Sequence, residues 1–351
     1  MYPALAVARA LRDAQPDLEL SYIGGARGLE RGLLAGESIP YHQLMVRSLR
    51  SGGADLHLIG DPLRLAGAVP QAYRLLGRIR PAVVFTTGGY LALPLVVAAR
   101  ARGIPTMLWE GNVIPGRSNL AVGRLVTRVA VSFPPTADRF PGRSFVSGTP
   151  VRSFVSVDRA AARASFGVAP EDRLLLIFGG SQAVARIAAA LQHAAERLLP
   201  DWQILHLAGE GGMREAEALK AMLPADLAGR YRAVAFLTDR MADALVAADL
   251  VIGRAGSSTC AEVAAVGVAS ILVPYPHAAG HQAANAAWMA DQGAARVVRD
   301  EEFDGPRLVS EVTALRDDAR RSAMADAARR IARPDAAAAI ARELLALAEA
   351  P

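Results

Sequence analysis

The chain has 351 residues, 52% hydrophobic and 21% charged, a globular composition of the size that two ordinary domains take. Its single cysteine, Cys260, excludes an intramolecular disulfide and suits a cytosolic location; no apolar run is long enough to span a bilayer uncharged, and Arg9, Arg12, Asp13 and Asp17 do not read as a secretory signal. The net charge of +5 is uneven, with 17 Arg against 9 acids in residues 1–150 and 22 basic against 25 acidic residues in the rest, so the first half suits an anionic partner or reflects an Arg- and Ala-rich genome in which Lys220 is the only lysine; scattered basic residues and few aromatics argue against a nucleic-acid surface.

Taken in chain order, the pattern opens with a helix. Pro3 suits a first helical position, and Leu5, Ala6, Ala8, Ala10 and Leu11 form one apolar side. No strand precedes this helix, so the chain reads as starting one strand and one loop late for a doubly wound domain. Residues 18–24, 82–88, 105–111 and 128–133 then read as strands, followed after Pro150 by 173–179, 202–209, 232–237, 249–253 and 269–275. Helical patterns fill most gaps, including 183–199 and 281–292. Strands alternating with helices at this spacing predict α/β architecture with parallel sheets. The polar stretch 147–159, "SGTPVRSFVSVDR", reads as a linker between two such domains, over 1–150 and 151–333, with a final helical stretch, 334–351, packing back towards the first. Residues Ile59, Leu63, Ala66 and Val69 form an apolar stripe flanked by Arg64, Arg74, Arg78 and Arg80. It suits either an amphipathic core helix or a face resting on an anionic bilayer, and Pro70 is expected to kink or end it.

In open parallel sheets ligands bind beyond the carboxyl ends of the strands, where helices begin. Three such places stand out in the second half. In "FGGSQAVARIAAAL" (178–191), Gly179 and Gly180 permit a tight turn and Ser181 can cap a helix or meet a phosphate; the stretch is neither a Walker motif nor G-x-G-x-x-G, and an ordinary capped turn fits it too. In "RAGSSTCAE" (254–262), Ser257, Ser258 and Thr259 present hydroxyls and amides at a helix start, and Glu262 is either a ribose-binding carboxylate or a capping-box residue. Cys260 is most simply a small buried residue. In "PYPHAAGHQAANAAWMA" (274–290), Gln282 and Asn285 are neutral donor–acceptors suited to sugar hydroxyls or to capping. Together they describe a pocket for a nucleoside diphosphate bearing a polar group. No D-x-D pair or Cys/His cluster suggests a metal. In the first half, "TTGGYLALP" (86–94) and "WEGNVIPGRSN" (109–119) place Gly88, Gly89, Glu110 and Asn112 at strand ends.

The segments "GGSQ" (179–182), "RAGSSTCAE" (254–262), "PYPHAAGHQAANA" (274–286), "TTGGY" (86–90), "WEGN" (109–112) and "GTPVR" (148–152) occur in the order seen in the MurG family, which the chain resembles from Tyr2 to its C-terminus. Members of that family transfer N-acetylglucosamine to the lipid-linked muramyl pentapeptide of peptidoglycan synthesis. The resemblance implies a GT-B fold, two Rossmann-like domains with a cleft between them, and UDP-N-acetylglucosamine as donor. It implies diphosphate contact at Ser181 with Gln182 beside it, donor contact at Ser257, Ser258, Thr259, Cys260 and Ala261, and the ribose on Glu262. It places Leu237 against the uracil, Gln282 and Asn285 at the sugar, Asn112 and Arg152 reaching towards the donor, and the acceptor diphosphate at Gly88, Gly89 and Tyr90. The implied reaction is inverting, without metal or cofactor, at the cytoplasmic face of the membrane by peripheral contact with anionic lipid. The family's T-G-G-H loop, with the His expected to act as base or orienting group, falls upstream of Met1, so the catalytic residue is unassigned and the chain alone is expected to lack most activity. The sequence also departs at Gly111, where Gln is usual, at Ala183, where Gly is usual, and at His281. Another GT-B glycolipid glycosyltransferase, or an inactive UDP-sugar-binding protein, remains open.

Overall fold

The computed structural model describes residues 2–25, 34, 36–44, 57–89, 91–152, 154, 156–179 and 184–350. The chain divides into two compact units, residues 1–151 with 335–351 and residues 152–334.

The first unit opens with the helix Tyr2–Ala14, which buries Leu5, Val7 and Leu11. Strands β1 (Tyr22–Gly25) and β2 (Tyr41–Leu44) pair in parallel. Strands β3 (Val84–Thr86), β4 (Thr106–Glu110), β5 (Arg128–Val131) and β6 (Ser144–Val146) form a parallel sheet in that order. Alternation along β4 and β5 splits the core. Leu108, Val129 and Val131 pack with Val96 and Val122 on one face, while Met107, Trp109 and Ala130 meet Val7, Leu11, Ile340 and Leu344 on the other. The helix Ala336–Glu349 thus completes the first unit.

The second unit holds β7 (Leu174–Phe178), β8 (Gln203–Leu207), β9 (Tyr231–Val234), β10 (Leu250–Gly253), β11 (Ala269–Leu272) and β12 (Arg296–Val297), all parallel, in the order β12-β11-β10-β7-β8-β9. Strands β7, β10 and β11 are buried at every residue, as parallel strands covered on both faces must be. Ile177, Ile252 and Ile271 share one cluster with Leu191, Ala195, Trp202 and Tyr231. Each large apolar side chain buried there contributes about 1.5–3 kcal/mol.

Strands β2, β6 and β12 go beyond the sequence pattern. Each is short, four, three and two residues, and β12 and β6 close the edges of their sheets, so none has the long apolar run that marks a central strand. Pro70 does not end its helix, which runs His57–Ile79. A proline removes one backbone hydrogen bond, and Ala68, Ala72 and Leu76 on either side of it are anchored against Leu95, Ala98 and Ala99. The side chains that would orient the first part of the 59–69 stripe lie outside the described residues.

Candidate functional site

Parallel pairing brings the carboxyl ends of the second unit's strands to one edge. Gly253 is in register with Phe178 and Leu272, Phe178 with Leu207, and Leu207 with Val234. The turns after these strands therefore open side by side. A Cβ on Gly253 would stand 3.3 Å from the Phe178 carbonyl oxygen, a tight contact that would press on the neighbouring strand. The helix Ser257–Val266 follows, entered from Gly256 in an extended conformation with no side-chain cap. Its first intrahelical bond is Cys260 N–H to the Gly256 carbonyl at 3.0 Å. The amides of Ser257, Ser258 and Thr259 have no acceptor inside the helix, and with their half-buried hydroxyls they present a cluster of donors at its positive end.

Glu262 is not the capping-box residue that its spacing allowed. It lies beyond the first turn, too deep to reach back to Gly256, and is 8% exposed. Instead, Arg152 Nε donates to its Oε1 at 2.9 Å. Arg152 also reaches the Thr238 carbonyl at 3.5 Å, next to half-buried Leu237 in the turn after β9. Burial pushes the Glu262 pKa up, and the Arg152 guanidinium acts in the opposite direction, favouring the carboxylate. Cys260 is fully buried, and burial drives its thiol up to about 12, so it stays protonated and is a packing residue. Ala261 is half-buried beside it.

Gln282 and Asn285 stand on the helix His281–Asp291. Gln282 Oε1 accepts the Tyr275 N–H at 2.9 Å and closes the loop after β11. Asn285 is fully buried and donates to the Ala255 carbonyl at 3.1 Å, which joins that helix to the turn before Ser257. Two residues that the sequence did not reveal complete the frame. Arg254, 6% exposed, donates to the Val273 carbonyl at 3.1 Å and pairs with Asp300. Asp300 also takes Arg186 of the helix Val184–Leu198 at 3.0 Å. The one available signal was an arginine directly after a buried strand, which requires a counter-ion. Ser181 and Gln182 lie outside the described residues, and so does Tyr90.

In the first unit, the turns after β3 and β4 lie at one edge, since Thr86 is in register with Leu108 and Glu110 ends β4. Gly88 and Gly89 have φ of +83° and +84°, a backbone that favours glycine. Gly88 N–H donates to Thr86 Oγ1 at 3.1 Å and Gly89 N–H to Asn119 Oδ1 at 3.3 Å. Asn112 is half-buried; its amide N–H and Nδ2 both donate to Glu110 Oε1, at 2.9 and 3.0 Å. The structure thus gathers Arg152 and residues 257–262 at one edge of the second unit, with Leu237 in an adjoining turn, and Gly88, Gly89 and Asn112 at one edge of the first. Among the described residues no group of three or more His, Cys, Asp or Glu could hold a metal ion, and no helix is long and apolar enough to cross a membrane.

Residues 1–131 match the glycosyltransferase family 28 N-terminal domain and residues 174–340 the glycosyltransferase family 28 C-terminal domain. The chain is 37% identical over 330 residues to the UDP-N-acetylglucosamine–N-acetylmuramyl-(pentapeptide) pyrophosphoryl-undecaprenol N-acetylglucosamine transferase of Desulforudis audaxviator, covering 92% of this chain and 88% of that one. It is 40% identical over 328 residues to the Nocardioides protein of the same name, covering 92% and 87%. The crystal structure of Acinetobacter baumannii MurG superposes with a TM-score of 0.76 at 32% identity, covering 98% of this chain and 95% of that one.

Proposed function

The chain belongs to the MurG family of glycosyltransferases, with the two-domain α/β GT-B fold, and from that premise we propose that it transfers N-acetylglucosamine from UDP-N-acetylglucosamine to a lipid-linked N-acetylmuramyl-pentapeptide. The observation that supports this most is Glu262. It is a buried carboxyl group whose charged form burial disfavours and Arg152 favours, on the helix that starts at the carboxyl edge of the sheet. An ionised carboxylate accepts from both vicinal hydroxyls of a ribose. With the ribose on Glu262, the diphosphate falls to the amides of Ser257, Ser258 and Thr259, with Ser181 and Gln182 beside it. Leu237 flanks the uracil. Gln282 meets the sugar, and Asn285 acts through the Ala255 turn that it anchors. The acceptor diphosphate takes the Gly88–Gly89 turn with Tyr90.

In this reading the acceptor sugar hydroxyl attacks the anomeric carbon directly and inverts it. Its proton goes to a base, for which the family's T-G-G-H histidine is the candidate. The bond to the UDP β-phosphate oxygen breaks, and oriented N–H groups stabilise the charge that develops there. No metal is assigned a step, since the chain has no D-x-D pair to hold one on a diphosphate. The basic first unit rests on anionic lipid at the cytoplasmic face of the membrane.

The test is transfer of labelled N-acetylglucosamine to the lipid-linked muramyl acceptor by the protein carrying the family's T-G-G-H loop. The expected product is the β-linked disaccharide on the lipid. Release of free N-acetylglucosamine without transfer, or transfer to diacylglycerol instead, contradicts the reading.

A further inference from the structure

Glu110 closes β4 and is 1% exposed, yet the reaction as proposed gives it no part. A buried carboxylate is stable only when its oxygens are satisfied. Here Oε1 accepts the Asn112 N–H at 2.9 Å and Asn112 Nδ2 at 3.0 Å, while Oε2 accepts the Gly116 N–H at 3.2 Å and Asn119 Nδ2 at 2.8 Å. The donors come from one loop and from the helix Arg117–Gly123 that follows it. Asn119 then passes the constraint on. It is buried, and its Oδ1 accepts the Gly89 N–H at 3.3 Å. Gly88 lies against the same amide, where a Cβ would collide with it. A continuous chain of contacts therefore runs from Glu110 through Asn119 to the turn after β3, and a second arm runs to Asn112 and Gly116. Thr136 Oγ1 donates to the Asn112 carbonyl at 2.9 Å and closes that loop from its other side.

We propose that Glu110 is a positioning residue: one buried carboxylate sets the geometry of both the Gly88–Gly89 turn and the Asn112–Gly116 loop, so the two loops of this unit are held as one piece. The assignment of the Gly88–Gly89 turn to substrate rests on the preceding reading; the coupling between the two loops does not. The chemistry demands a carboxylate. Two oxygens accept from four N–H groups, whereas an amide offers a single acceptor oxygen and turns a donor towards the others.

The test is amide hydrogen exchange at Gly89, Asn112 and Gly116 in the unliganded protein. Glu110→Gln is expected to accelerate exchange about 10–100-fold at all three, including Gly89, which it does not touch. Asn119→Asp alone sets a second carboxylate against Glu110 and is expected to be harmful too. In the double variant E110Q/N119D, the Gln amide donates to the carboxylate introduced at position 119. The other oxygen of that carboxylate accepts from Gly89, so Gly89 returns to within about threefold of wild type while Gly116 stays fast. That reversal of sign is not expected of a merely structural defect. If Glu110→Gln does not fold, Asn119→Ala serves: Gly89 accelerates while Asn112, held by Oε1, stays protected. Unchanged exchange at Gly89 in Glu110→Gln or Asn119→Ala, or an Asn119→Asp effect that is the same with and without Glu110→Gln, overturns the proposal. Exchange is read without substrate, so a failed transfer assay and a failed relay are separate outcomes.

Discussion

Arg152→Ala separates the two tasks of the Arg152–Glu262 pair. Arg152 Nε lies 2.9 Å from Oε1, and the side chains are 34% and 10% exposed. Breaking a fully buried pair costs about 3–5 kcal/mol because a charge is stranded; with Arg152 one-third in solvent, screening reduces this to about 1–3 kcal/mol. For a domain of this size that is a fall in Tm of about 2–10 °C. Ligand binding should change in kind as well. Burial already raises the Glu262 pKa, and Arg152 is what opposes it. Without Arg152 the carboxyl group protonates at higher pH. Ribose hydroxyls bind the ionised form better, so the complex holds fewer protons than the free variant, and affinity must rise with pH. Isothermal titration with UDP-N-acetylglucosamine, in buffers of different ionisation enthalpy, is expected to show proton release in the variant and a flatter profile in wild type. An unchanged Tm together with an affinity that is independent of pH in the variant contradicts both roles of Arg152.

Glu262→Ala is expected to weaken UDP binding by about 1–3 kcal/mol, the result of unpairing buried polar groups, and unchanged affinity in calorimetry contradicts the ribose contact. Gly88→Ala forces a side chain onto φ +83° and into Asn119, which should destabilise the first unit by at least about 1–2 kcal/mol in denaturant unfolding; a variant as stable as wild type argues against the observed turn. His206 is 2% exposed and holds Tyr231 Oη at 2.9 Å through Nδ1, while Nε2 is buried with no partner among the described residues, and burial lowers its pKa from 6.5 to about 4. The unfolded chain therefore binds the proton first, so stability falls as pH drops from 6.5 to about 4, by up to about 3 kcal/mol. His206→Gln should flatten that slope in thermal melts, and equal slopes contradict the assignment.

The parallel α/β plan was legible because buried parallel strands such as Leu174–Phe178 and Leu250–Gly253 are apolar at nearly every position, and because Gly-Ser turns directly after them signal helix starts. The short strands Tyr41–Leu44, Ser144–Val146 and Arg296–Val297 have no such run. Individual site residues were legible as types: a carboxylate in a helix beyond a strand, two glycines at a turn. What those residues touch was not. Arg152 and Glu262 are 110 positions apart, and the Arg254–Asp300–Arg186 frame joins three separate elements. A single sequence has no term for such pairings, so it leaves Glu262 divided between ribose ligand and helix cap; its place beyond the first turn and its contact with Arg152 exclude the cap. Glu110 shows the same limit, since its four donors include residues up to nine positions away and its effect reaches Gly89 through Asn119.

In the proposed function the loops at the carboxyl edge of the second unit's sheet hold a uridine diphosphate sugar, with its ribose on Glu262. A crystal structure of the protein with UDP-N-acetylglucosamine tests it most directly. Both ribose hydroxyls are expected within about 2.6–3.2 Å of the Glu262 oxygens and the diphosphate over the amides of Ser257–Thr259. Nucleotide density at any other edge of the sheet, or a ribose that leaves Glu262 bound to Arg152 alone, contradicts it.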